Sequence, residues 1–140
     1  MTDSAARKQE ANDLRKAGKL EEALLLYKKL WEETGDEYDG AGLLHCLRKL
    51  RMFDEAVILA EELISKYSDF EWCRREVIWT YIQGSLDRLS EEEPLVNVVN
   101  TANKIMNLNP DGLATKMAVF KVLKSAKSHD SWDTVNEWIT

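Results

Sequence analysis

One stretch of this chain is repeated 33 residues further on. The Leu-Arg-Lys triplet that begins at Leu14 recurs at Leu47, and the segment 18–24 has its counterpart in 51–57. The apolar positions keep the same spacing in both copies, so each member of the first set has an equivalent in the second. The first set is Leu20, Ala23, Leu24, Tyr27, Leu30 and Trp31, and the second is Phe53, Ala56, Val57, Ala60, Leu63 and Ile64. A repeat of this period predicts stacked units, none of which can bury its apolar face alone.

Apolar residues follow helical spacing through most of the chain, and no stretch alternates as a strand does. This spacing predicts helices at about 4–17, 20–34, 38–50, 53–67, 70–83, 94–108, 111–127 and 131–139. Short connectors such as 17–19 and 50–52 make neighbouring helices antiparallel, which predicts a row of helical hairpins. Segment 84–94 is too long for a tight turn. We expect there either a lengthened loop or a second helix that begins near Ser90, with Pro94 in its first turn.

The repeat resembles the tetratricopeptide repeat (TPR), a helix-turn-helix unit whose small and apolar positions are characteristic. The residues of the first unit that match the family are Ala11, Gly18, Ala23, Tyr27 and Leu30. The second unit matches at Leu44, Ala56 and Leu63, the third at Ile78, Tyr81, Val98, Ala102, Ile105 and Pro110, and the fourth at Leu123 and Val135. The resemblance implies an all-α fold, a right-handed stack of about four antiparallel helical hairpins. It implies a single domain over 1–140, with units at about 4–36, 37–69, 70–110 and 111–140.

Composition and charge disfavour several functions. The formal net charge is −6, which argues against general nucleic-acid binding. No apolar run is long enough for a membrane helix, and the polar start does not resemble a signal peptide. Cys46 and Cys73 lie in helical patterns without metal-ligand spacing, so we expect both to be reduced and buried in a cytoplasmic protein. We find no catalytic triad, phosphate-binding loop or metal motif, and therefore expect neither an enzyme nor a cofactor.

In TPR proteins the first helix of each unit lines a concave groove. The resemblance places basic and aromatic residues in that groove, although the chain as a whole is acidic. The candidate peptide-binding residues are Lys8, Asn12, Arg15, His45, Arg48, Lys49, Trp72, Arg75 and Trp79, with Tyr38 and Glu76 at further groove positions. We therefore predict a protein-interaction module that binds an acidic segment of another protein. The Arg-Lys pairs have an alternative structural role, because cations at the ends of their helices interact favourably with the helix dipole. The tryptophans either face the groove or pack in the core.

A more specific prediction of peptide binding concerns Lys8 and Asn12. They match by type the lysine and the asparagine of the first unit in those TPR domains that clamp the terminal carboxylate of a peptide. The charge-assisted hydrogen bonds of such a clamp are strong. The remaining clamp positions differ, because Gly42 stands where the clamp has asparagine, and Trp72 and Glu76 stand where it has cations.

The last predicted helix carries an unusual apolar face, formed by Trp132, Val135, Trp138 and Ile139. TPR arrays normally end in a helix with a polar outer face. The apolar face therefore indicates either a fragment of a longer protein or a surface that docks on a partner or a second copy. This gives a first alternative function, a scaffold or oligomerisation domain. A second alternative is single-stranded nucleic-acid binding through Arg15, Arg48, Arg75 and the tryptophans, which the net charge disfavours.

Overall fold

The computed structural model describes residues 3–130 and 132–139. The described residues form eight α-helices and one π-helical turn, and they contain no β-strand. The helices are α1 (Asp3–Lys16), α2 (Leu20–Thr34), α3 (Glu37–Lys49), α4 (Phe53–Lys66), α5 (Glu71–Tyr81), α6 (Leu95–Met106), α7 (Gly112–His129) and α8 (Trp132–Ile139), with the π-helical turn at Ile82–Leu86. The all-α class is confirmed, and every predicted helix has a counterpart whose ends lie within a few residues of the prediction.

The chain divides into two compact units, Met1–Thr80 and Tyr81–Thr140, which we call unit 1 and unit 2. In unit 1, α1 packs against α2, α2 against α3 and α3 against α4, as expected for consecutive hairpins. In unit 2, α6 packs against α7 and α7 against α8, and the π-helical turn contacts both α6 and α7. The single domain over 1–140 and the right-handed TPR-like stack stay predictions.

The turn between the helices of each repeat has the same backbone in both copies. Gly18 has a φ of +79°, and its equivalent Arg51 has a φ of +61°. The residues that follow, Lys19 and Met52, have φ and ψ near −85° and 68° and near −88° and 64°. The repeat therefore specifies the turn geometry even where arginine has replaced glycine, the residue that adopts positive φ most readily.

Small residues of the repeat lie where helices meet. Ala11, Ala23 and Ala56 are fully buried, together with Tyr27 and Leu30. A larger side chain at such a position overpacks the contact at a cost of about 1–3 kcal/mol. These residues hold the hairpins of unit 1 together.

Both cysteines are free and buried, as predicted. Burial raises the pKa of the Cys46 thiol to about 12, and it does the same for Cys73. Because the thiolate is the reactive form, both side chains act at neutral pH as small apolar core residues.

The irregular segment before α6 is a lengthened loop. The π-helical turn ends at Leu86, turns and bends follow, and α6 begins only at Leu95. The alternative of a helix from Ser90 is therefore wrong. Pro94 lies just before the helix with a ψ of 137°, and a residue that precedes proline is driven away from helical geometry.

Candidate functional site

Side chains from α1, α3 and α5 meet on one surface of unit 1. The rings of Tyr38 and Trp72 contact edge to face, with their centroids 4.9 Å apart. The Arg15 guanidinium lies 4.8 Å from the Trp72 centroid, and Lys8 Nζ lies 5.3 Å from that of Tyr38. We call this surface the groove cluster, after the groove that the TPR resemblance predicts. Its members are Lys8, Asn12, Arg15, Tyr38, His45, Arg48, Trp72 and Glu76.

Glu76 is the buried centre of the groove cluster, with 6% of its surface exposed. Its Oε2 accepts a hydrogen bond from Arg48 Nε at 3.0 Å, and its Oε1 lies 2.8 Å from His45 Nδ1. The indole of Trp72 donates to Oε1 at 3.3 Å. Burial alone raises the pKa of Glu76, but the His45 hydrogen bond and the Arg48 charge outweigh it, so the pKa is lowered overall. Glu76 is therefore ionised at neutral pH and neutralises Arg48, which is itself only 8% exposed.

This pairing predicts an acid-dependent loss of stability. The pKa of Glu76 is lower in the folded state than its ordinary value of 4.5. The contribution of this carboxylate to the free energy of unfolding is therefore complete above that pH. It is lost as the pH falls through the folded-state pKa. We expect Glu76→Gln to remove this term, so that the free energy of unfolding depends less on pH below about 4.5. Urea titrations of both proteins at a series of pH values measure the difference, and parallel profiles would contradict the prediction.

Tyr27, a buried residue of α2, positions two members of the groove cluster through hydrogen bonds. Its ring is fully buried, and its hydroxyl donates to Asn12 Oδ1. The same hydroxyl accepts from Arg15 Nε at 3.1 Å. Asn12 and Arg15 are thus oriented by a core residue of the repeat, which leaves the Arg15 guanidinium half-buried above Trp72.

Lys8 is held by two carboxylates at the start of α3. Its Nζ lies 3.7 Å from Asp39 Oδ1 and 3.8 Å from Asp36 Oδ2. Asp39 is fully buried, and its Oδ2 accepts from Thr34 Oγ1 at 2.7 Å. The other oxygen, Oδ1, has no hydrogen-bond partner within the described residues, so Lys8 is its nearest compensating charge.

The structure brings six of the nine candidate binding residues into the groove cluster: Lys8, Asn12, Arg15, His45, Arg48 and Trp72. Lys49 and Arg75 are exposed and Trp79 is half-buried, and none of the three contributes to the contacts that define the cluster. Neither Asp39 nor the Tyr27 hydroxyl was predicted from the sequence to support these residues. The sequence signal for these supports was the pair of glycines that follow Asp39, Gly40 and Gly42, because they indicate close packing on that side of α3.

The apolar face predicted at the end of the chain is largely used within unit 2. Val135 is buried, with 3% of its surface exposed. The Trp138 indole donates to Asn103 Oδ1 on α6 at 2.6 Å. Trp132 is 47% exposed, and the side chain of Ile139 lies outside what the structure describes. Among the described side chains of this predicted interface, Trp132 is therefore the most exposed.

The described residues offer neither a metal site nor a membrane-spanning helix. Residues 3–130 and 132–139 contain no group of three histidine, cysteine or acidic side chains placed to hold a metal ion. None of the described helices has both the length and the apolar character needed to cross a bilayer. No family model, curated protein or solved structure matches the chain. The assignment of a function therefore depends on the geometry of the groove cluster.

Proposed function

We propose that unit 1 is a protein-interaction module of the TPR type that binds a peptide segment of another protein at the groove cluster. The observation that carries the proposal is the Arg15 guanidinium, half-buried between the Trp72 ring and the Tyr27 hydroxyl. A cation held in this way keeps a fixed position while part of it stays open to solvent. Fixed cations beside aromatic rings are common anchors for peptides, because little side-chain entropy is lost on binding.

The partner chemistry follows from which charges are already neutralised. Arg48 pairs with Glu76, so its charge is largely cancelled within the fold, and His45 Nδ1 lies 2.8 Å from the same carboxylate. Arg15 has no carboxylate among its contacts in the groove cluster, and Lys8 remains 34% exposed beside Asp36 and Asp39. We therefore propose a segment that places a carboxylate near Arg15 and an apolar side chain against Tyr38 and Trp72.

Fewer basic residues are proposed to bind the partner than the sequence led us to expect. Arg48 serves the fold by pairing with Glu76, and reversing its charge would place two carboxylates together in a buried position. A loss of binding in such a variant would be confounded by a loss of stability. The informative positions are therefore Arg15, Lys8 and Trp72, which are all half-buried.

A library of short random peptides displayed on phage provides a probe when the natural partner is not identified. We expect selection on the full chain to enrich peptides that combine acidic and apolar residues. Arg15→Gln should weaken a selected peptide at least about tenfold, because a charge-assisted hydrogen bond contributes roughly 1.5–3 kcal/mol. Calorimetric titration measures the change in affinity.

The matched control is Lys28→Gln, which removes the same charge from an exposed position on α2. It should leave the affinity unchanged. Equal losses in both variants would indicate a general effect of net charge. Enrichment of basic peptides, or binding that survives Arg15→Gln, would contradict the proposal.

In this proposal the module has no catalytic role, requires no cofactor and works in the cytoplasm. The free cysteines support that compartment, because buried thiols of this kind are typical of reducing environments.

A further inference from the structure

Helix α7 turns its largest apolar side chains outward. Phe120 is 67% exposed, Leu113 is 61% exposed and Leu123 is 37% exposed. These residues are separated by seven and three positions, so they follow one stripe of the helix. The face that packs into unit 2 carries mostly small residues, namely Ala114, Ala118, Val122, Ser125 and Ala126. A helix that buries alanines and exposes phenylalanine presents an apolar patch of the kind that marks an interaction site.

The exposed stripe has the chemistry of a docking site for an acidic surface. An open, apolar groove of about 580 Å³ lies along it, bordered by Met117, Phe120 and Leu123 among others. Lys116, Lys124 and Lys127 flank the apolar residues and are all exposed. Helix α7 contains no acidic residue from Gly112 to His129. We call this surface the basic apolar face, formed by Leu113, Lys116, Phe120, Leu123, Lys124 and Lys127.

Helix α4 in unit 1 carries a surface with the opposite charge. Ile58 is 72% exposed, and exposed glutamates lie one turn away on both sides of it. Its repeat equivalent on α2, Leu25, is 68% exposed. We call the α4 surface the acidic apolar face, formed by Glu55, Ile58, Glu61 and Glu62.

We propose that the basic apolar face of one copy of this chain docks on the acidic apolar face of a second copy. Contact removes Phe120 and Ile58 from water and places lysines opposite glutamates, so apolar burial and charge complementarity favour the same pairing. The two faces differ, which makes the interface heterologous. Each added copy then leaves one face of each kind unoccupied, and the assembly grows as a chain or closes as a ring.

The first test uses single-face variants in sedimentation velocity at low salt. Wild-type protein should show a sedimentation coefficient that rises with concentration and falls back on addition of salt. Phe120→Asp and Ile58→Asp should each remain monomeric. An equimolar mixture of the two should form a dimer and nothing larger, because one intact face of each kind remains. Val96→Asp is the matched control, since Val96 is an apolar residue 59% exposed on α6 outside both faces, and it should associate as wild type does.

The second test exchanges the charges. One variant combines Lys116→Glu with Lys124→Glu, and the other combines Glu55→Lys with Glu61→Lys. Each alone should associate at least tenfold more weakly than wild type, because both of its faces then carry the same sign. Their mixture should recover the association, since each reversed face meets a complementary one. Circular dichroism checks that every variant keeps its helical signal.

Three results would overturn the proposal. The first is wild-type protein that stays monomeric at millimolar concentration and low salt. The second is self-association of Phe120→Asp or Ile58→Asp as strong as that of wild type. The third is that these two variants do not pair when they are mixed. The groove cluster is unchanged in all these variants, so peptide binding succeeds or fails independently of self-association.

Discussion

Replacing Glu76 with alanine is expected to lower the free energy of unfolding by about 3–5 kcal/mol. The carboxylate is buried and accepts hydrogen bonds from Arg48 and Trp72, while His45 Nδ1 lies 2.8 Å from it. Its removal takes away the carboxylate that neutralises the buried Arg48 guanidinium. Urea unfolding followed by circular dichroism measures the loss.

Two controls separate loss of this pairing from loss of surface charge. Glu71→Ala removes a carboxylate from an exposed position on the same helix and should change stability by less than about 0.5 kcal/mol. The double variant Arg48→Met with Glu76→Leu replaces the pair by apolar side chains of similar size. It should recover most of the stability that Glu76→Ala loses, as is common for buried ion pairs. If Glu76→Ala and Glu71→Ala cost the same, the pairing does not stabilise the fold.

Replacing Gly42 with alanine is expected to cost about 3 kcal/mol. A Cβ at this position would overlap the ring of Tyr27, with Cδ1 and Cζ both only 2.6 Å away. Tyr27 has no room to move aside, because it is fully buried and its hydroxyl is bound by Asn12 and Arg15. The added methyl group must therefore displace α3 or disturb the orientation of Asn12 and Arg15.

Gly112→Ala provides the matched control. Gly112 is the first residue of α7, and a Cβ there meets nothing within 4 Å. We expect it to leave stability unchanged or to raise it by about 0.4–1 kcal/mol, because alanine restricts the unfolded chain. Gly42→Ala should also weaken peptide binding, whereas Gly112→Ala should not. Equal effects of the two substitutions on unfolding would contradict the packing described for Tyr27.

The same packing accounts for one difference from the carboxylate clamp to which the TPR resemblance points. The clamp requires an asparagine where this chain has Gly42, and any side chain there would overlap Tyr27. Glu76 stands where the clamp has a cation, and it pairs with Arg48 within the fold. The residues that depart from the clamp thus build a different, internally paired surface.

Helical spacing and the repeat were sufficient to predict the helices and the turns between them. These features depend on local preferences and on the apolar pattern, and both can be read along the chain. The turn at Arg51 shows how strong that constraint is, since it keeps the conformation of Gly18. Of the two alternatives for segment 84–94, the lengthened loop is confirmed and the helix from Ser90 is wrong, because α6 begins only after Pro94.

The sequence could not predict which charges pair with each other. The Arg-Lys repeats suggested an open basic groove, but the Arg48–Glu76 pair joins residues 28 positions apart. Nor did an amphipathic pattern reveal which face of a helix packs inward. Leu123 matched the family pattern, yet Val122 is the buried neighbour and Leu123 faces solvent. The pairing of charges and the choice of the buried helix face both depend on tertiary packing. Neither can be inferred from a short stretch of sequence.

NMR titration of isotope-labelled protein with a selected acidic peptide tests the central claim most directly. The indole N–H of Trp72 reports on the groove cluster, since it donates to Glu76. Trp132 in unit 2 is a built-in reference, because it is exposed and lies outside the cluster. We predict that the peptide shifts the Trp72 signal and leaves Trp132 unchanged. A peptide that binds while Trp72 stays unchanged and Trp132 shifts would contradict the account.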